Sequence, residues 1–201
     1  MLAKRARGAL TTVVGFAALL WIVHLVNSAT GFFLIRLLGI VPREVEGLDG
    51  VVFAPLLHAD AGHLFSNTLP LLVLGFLALL EGARRFAVAV GASWLASGLG
   101  VWIFGGGVTI GASGLVFGLF AYLLVRGFYN RDWKQILLAV LLFLMYGSLL
   151  WGVLPQFGSN ISWQAHLFGA LGGVLAALLL KRRPAPTGTD RRLPYAPRRG
   201  D

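Results

Sequence analysis

The chain has 201 residues, of which 57% are hydrophobic and only 12% charged, with a net charge of +9 and no cysteine. Soluble domains carry roughly twice that charged share, so the composition excludes an ordinary water-soluble globule, and the apolar content excludes a disordered chain for most of the length. The absence of cysteine excludes disulfides, a thiolate metal site and a cysteine nucleophile. In a protein that takes the bilayer as solvent, the basic excess marks the cytoplasmic side rather than a nucleic-acid partner.

A spanning helix needs about 20 mostly apolar residues. Six stretches approach this: Ala9 to Val26, Leu64 to Leu80, Phe86 to Phe104, Ile110 to Val125, Ile136 to Leu154 and Trp163 to Leu180. A seventh run, Gly31 to Val41, is too short, carries Arg36 and ends at Pro42. It reads as an interfacial helix in a loop, the alternative being an extension of the first span. Lys4, Arg5 and Arg7 ahead of the first stretch resemble a secretory signal, but the apolar run exceeds the ~7–15 residues of a signal core, so a retained span is expected. With six spans and a cytoplasmic N-terminus, every one of the 17 Lys and Arg except Arg36 and Arg43 falls inside. The expectation is therefore an all-α membrane protein with six transmembrane helices, both termini cytoplasmic, in a bacterial cytoplasmic membrane. Residues 1–182 form the membrane domain, and residues 183–201 form a disordered Pro/Arg-rich tail.

Polar groups at membrane depth are costly and therefore informative. His63 and Asn67 open the second span, Ser113 the fourth and His166 the sixth. These three spans run in the same direction, so all four residues fall in one layer below the outer surface. Each has a bland reading: a serine bonding back to its own helix, or an asparagine or histidine joining helices. Their coincidence in one layer favours chemistry. His63 and Asn67 are four apart and share a face. Gly114 and Gly118, and Gly169 and Gly173, form small-xxx-small faces on the serine and histidine helices, and packing those faces together would bring Ser113 to His166. A serine hydroxyl becomes a nucleophile when a base takes its proton, and His166 is the placed base. No carboxylate lies within a span at this depth. Asp60, just before His63, is the one candidate for a third member, and a dyad is the favoured reading, with the histidine held by packing. Phe117, one turn beyond Ser113, is positioned to stack on the imidazole. The backbone N–H at the start of the serine helix, with His63 and Asn67, supplies oxyanion donors. Ser66, Asn160 and Gln164 are candidates to retain water in the cavity.

These residues resemble the rhomboid intramembrane proteases. Gly111-Ala112-Ser113-Gly114-Leu115-Val116-Phe117-Gly118 is similar to the family's GxSGxxxG serine motif, His63 to Asn67 to its HxxxN motif, and Ala165-His166-Leu167-Phe168-Gly169 with Gly173 to its histidine helix. His58 stands where the family carries a second histidine, and Glu81 resembles its glutamate near the end of span two. The motifs occur in the family's order over roughly Ala9 to Leu180. The resemblance implies a rhomboid-type six-helix bundle without cofactor or metal, acting as a serine endopeptidase on transmembrane protein substrates near the outer face. It implies Ser113 as nucleophile, His166 as base, His63 and Asn67 as oxyanion donors, and a gate at the fifth span and its loop, Pro155 to Ser162. The chain departs from the family in the first outer loop, where Pro42-Arg43 replaces a Trp-Arg pair. The rival readings are a non-catalytic relative that binds and escorts membrane proteins, a small transporter and, remotely, a haem protein using His63 and His166. A transporter needs polar residues through the full depth, whereas these cluster in the outer half. No porphyrin signal accompanies the histidines, and His24 in span one has no evident partner.

Overall fold

A computed structural model describes residues 2–156, 158 and 161–181. Phe157, Ser159, Asn160 and the tail from residue 182 lie outside the described residues, and with them the expectations for Asn160 and for residues 183–201. Among the described residues eight α-helices follow one another: α1 Leu2–Ala29, α2 Phe33–Leu38, α3 Asp49–Phe53, α4 Ala61–Leu80, α5 Ala83–Phe104, α6 Ser113–Asn130, α7 Trp133–Tyr146 and α8 Trp163–Leu179. Three 3-10 segments link them, Val45–Leu48, Ala54–Leu56 and Gly147–Val153, the last continuing α7. The only strand-like pairing among the described residues is a bridge between Ile40 and Thr109. Among the described residues four helical stretches are long and apolar enough to cross a membrane: α1, α4, α5, and α7 with its 3-10 extension; α8 is a shorter apolar helix.

The expected short helix after the first span is α2, and it is separate from α1 because the chain turns at Gly31 and Phe32, with φ of +62° and +59°. Asn27 fixes this turn, its Oδ1 accepting the Leu34 N–H at 3.0 Å. The serine helix is displaced from the expected stretch. It begins at Ser113 rather than Ile110 and runs on to Asn130, so Arg126, one residue past the expected end of the span, is a buried helix residue. It is neutralised there by Glu81, at 2.8 Å from Arg126 Nη1 to Glu81 Oε1, and its guanidinium lies over the Tyr122 ring. Glu81 also meets Arg85 and accepts a hydrogen bond from the Gln135 side chain near the start of α7.

Helices α5, α6 and α8 form the tightest part of the bundle, and small residues are the reason. A Cβ on Gly169 would strike the backbone of Gly114, and one on Gly173 the backbone of Gly118. Gly172 lies against the backbone of Ala92 and Ser93, and Ser93 fills the space beside Gly118. In lipid, where apolar faces gain little from meeting one another, such backbone approach is what holds helices together. Leu64, Leu74, Leu115, Leu119, Phe120 and Leu123 complete the buried core between α4 and α6.

The first long loop is anchored from α5. Arg43, at φ +65°, donates from Nη1 to the Gly105 carbonyl at 2.9 Å and the Ile103 carbonyl at 3.3 Å, covering the orphan acceptors of the α5 terminus. Trp102 Nε1 donates to the Glu44 carbonyl at 2.8 Å. A tryptophan and an arginine thus do hold this loop, drawn from two separate parts of the chain.

Candidate active site

Each of the four polar residues lies at the N-terminal end of its helix. His63 and Asn67 are in the first two turns of α4, Ser113 is the first residue of α6, and His166 is in the first turn of α8. Asp60 is the N-cap of α4, where its carboxylate accepts the His63 N–H at 2.8 Å. That contact, the first cause, holds its carboxyl below the ordinary range. Asp60 is therefore occupied as a helix cap, and the structure does not make it the third member of a triad.

Ser113 and His166 are brought to the same end of the bundle by the residues beside them. Ser97 Oγ on α5 donates to the Ala165 carbonyl at 2.9 Å, and that carbonyl lies 3.0 Å from where a Cβ on Gly114 would sit. The His166 ring is stacked on Phe117, with centroids 4.0 Å apart and planes 5° from parallel. His166 is buried, and its Nδ1 lies 3.0 Å from the carbonyl oxygen of Gly152. A carbonyl only accepts, so this contact is a hydrogen bond in the neutral Nδ1–H tautomer, the form that leaves Nε2 its lone pair. No hydrogen bond joins the Ser113 hydroxyl to His166 among the described residues; catalytic hydrogen bonds are often long before substrate binds.

The turn before Ser113 is held on both sides. The Gly111 N–H donates to the Ala54 carbonyl at 2.9 Å, and the Ala112 N–H donates to His58 Nε2 at 3.4 Å. Gly111 has φ +113°, and a Cβ there would lie 2.7 Å from His63 Cε1, so this position demands glycine on two counts. His63 accordingly faces the serine turn directly. Asn67 is buried on the same helix face, with its amide Nδ2 donating to the His63 carbonyl at 3.0 Å. One of its two N–H bonds is thus committed to its own helix, leaving the other. The amide groups of the first turn of α6 have no intrahelical acceptor, which makes them anion-directed donors.

His58 is wholly buried and its pKa is lowered to about 4, first by burial and then by His63. It is a neutral acceptor at ordinary pH. His24, without an evident partner in sequence, is buried with Nδ1 3.3 Å from the His58 carbonyl, so α1 braces the loop that braces the serine turn. Ser66 is exposed and donates to the His63 carbonyl, and Gln164 donates to the Phe104 carbonyl. Sequence reasoning missed Gly152, Ser97 and the contact from His58 to Ala112. Only His58 carried a signal, as the second histidine of the family pattern.

Apolar helices of spanning length, packed through glycine around a polar layer at one end of the bundle, define a multi-pass helical membrane protein. Residues 46–183 match the Rhomboid domain, and the chain belongs to the rhomboid family. It is similar to an uncharacterized protein of Mycobacterium tuberculosis, 46% identical over 179 residues covering 85% of this chain and 74% of the relative. A Mycobacterium leprae protein is 43% identical over 182 residues, covering 84% and 70%. A Bacillus subtilis protein whose name provisionally labels it a rhomboid protease is 32% identical over 134 residues, covering 62% and 63%.

Proposed function

We propose that this protein is an intramembrane serine endopeptidase that cleaves transmembrane proteins near the outer face of a bacterial cytoplasmic membrane, from a six-span bundle with both termini inside. One observation carries the reading: His166 is stacked on Phe117 of the helix that opens with Ser113, with its Nδ1 3.0 Å from the Gly152 carbonyl, which leaves Nε2 to serve as the base. In the proposed reaction Nε2 takes the Ser113 proton as Oγ attacks the scissile carbonyl. The tetrahedral oxyanion is held by the first-turn amides of α6 and by His63 and Asn67. The imidazolium returns its proton to the leaving amine, giving an acyl-enzyme. Water, deprotonated by the same Nε2, attacks the acyl carbon, and the proton passes back to Ser113 Oγ as the new carboxyl end departs.

The test is covalent labelling by a serine-directed fluorophosphonate. The parent protein is expected to label, and Ser113→Ala and His166→Ala are not. A parent that stays unlabelled while folded overturns the catalytic reading in favour of a non-catalytic relative that binds and escorts membrane proteins.

A further inference from the structure

Among the described residues the histidine has no carboxylate partner, yet its ring lies against an identifiable group. That group is the carbonyl of Gly152, 3.0 Å from Nδ1. Gly152 lies in the 3-10 segment Gly147–Val153, where the helix begun as α7 tightens into a narrower turn, a change that often marks a functional hinge. The position needs glycine. A Cβ there would lie 2.7 Å from Phe117 Cζ and 3.0 Å from His166 Nδ1, displacing the segment from the two rings it covers.

The helix that carries this carbonyl is the least embedded of the long ones. Its spanning window, within Trp133–Val153, is 11% buried, against 28–33% for the other three long helices. Near its start it is tied down: Gln135 is buried and bonds to Glu81, and Asp132 caps the helix. Near its other end Trp151 and Leu154 are exposed. The stretch is therefore tied at its base to Glu81 and, at its other end, meets the rest of the protein through Gly152, which lies against the Phe117 and His166 rings.

We propose that Gly152 is a positioning residue, its backbone carbonyl serving as the third member of the Ser113–His166 pair by holding the imidazole as the Nδ1–H tautomer. It follows that His166 is a competent base only while the 3-10 segment is seated over it. This rests on the protease reading above, and the test separates the two.

The test replaces the Gly152–Val153 amide by an ester, incorporating the α-hydroxy analogue of valine at position 153, which leaves every side chain in place and weakens the Gly152 carbonyl as an acceptor. The same change one residue on, at Leu154, is the control: it removes the N–H that donates to the Trp151 carbonyl and leaves Gly152 untouched. The first readout is ¹⁵N NMR of the imidazoles in the full chain. It has four histidines, and His166 is assigned from the His166→Gln spectrum. The parent is expected to show His166 protonated at Nδ1, with that proton resonance moving upfield in the 153 ester only. An Nε2–H tautomer in the parent, or an Nδ1–H resonance that the ester leaves unmoved, overturns the proposal whatever the activity. The second readout is turnover. The 153 ester is expected to lower kcat roughly fivefold with KM unchanged, the size of weakening one neutral hydrogen bond, and the 154 ester is not. Equal losses in both overturn it. If the NMR result holds and the parent neither labels nor cleaves, the protease reading fails, and the catalytic role of Gly152 with it.

Discussion

His58 and Ala112 are joined at 3.4 Å, the imidazole Nε2 accepting the N–H of the residue that precedes Ser113. A side chain from the loop before α4 thereby sets the direction in which α6 begins. The bond needs an unprotonated Nε2, and burial supplies it by lowering the pKa from 6.5 to about 4.

This makes the serine turn acid-sensitive, with a defined sign. The folded pKa lies below the unfolded one, so the unfolded chain binds the extra proton between about 6.5 and about 4. The contribution of His58 is fully present above pH 6.5 and is lost as pH falls toward 4, with a ceiling on the order of 3 kcal/mol. Thermal unfolding in detergent is expected to show stability declining over that window, and His58→Gln, neutral throughout, is expected to flatten the slope. Equal slopes in the two proteins would refute the assignment.

The glycine contacts between α6 and α8 give a second expectation. Gly169→Ala places a methyl group 2.7–2.9 Å from Gly114 backbone carbons and is expected to cost about 1–3 kcal/mol, as overpacking does. Gly15→Ala on α1, where nothing lies within 4 Å, is expected to be neutral or stabilising by up to about 1 kcal/mol. Unfolding midpoints of the two variants check this; equal shifts would mean that α6 and α8 are not in backbone contact.

Asn67 separates oxyanion chemistry from helix packing. Among the described residues its amide makes one bond, to the His63 carbonyl, so Asn67→Ala is expected to lower turnover on the order of 10²-fold, while the first-turn amides and His63 sustain a residue of activity. Ser113→Ala is expected to leave none. Full activity of Asn67→Ala in a cleavage assay at saturating and at dilute substrate would reduce Asn67 to a packing residue.

The proposed sidedness has its own check. Reporter fusions after Arg85 and after Arg183 are expected to report the cytoplasm, because the basic residues then gather on one side. A periplasmic signal from either would break the six-span threading.

Substrates are expected to be helices that unwind easily. A scissile carbonyl in a regular helix is bound to the amide four residues on, and freeing it in lipid exposes backbone groups at several kcal/mol each. Single-span substrates in liposomes that differ only in the span should be cut faster with Gly-Pro near the outer boundary than with uniform polyleucine. Equal rates would refute the unwinding argument without touching the nucleophile.

Much of the site was legible because its signals are periodic. The four-residue glycine spacings foretold the contact of α6 with α8, and the one-turn offset from Ser113 to Phe117 foretold the ring that stacks on His166. Gly152 was not legible, since every residue carries a carbonyl and no side chain announces which one will be used. The expected span stops at Val125, short of Arg126, because hydropathy does not register a neutralising Glu81 on a different helix. Trp102 and Arg43 lie in different elements, so their joint hold on the first loop has no signature along the chain.

The Glu81–Arg126 pair has a bearing on how the chain is assembled during synthesis. Glu81 ends α4, and the guanidinium that pairs with it arrives on a helix made later. Until then its partners are limited to neighbours such as Arg85. Arg126, 3% exposed, would lose its buried carboxylate partner if α6 settled away from α4. The pair therefore acts as a latch that rewards lateral docking of these two helices, since either charge left without the other is costly where it is buried.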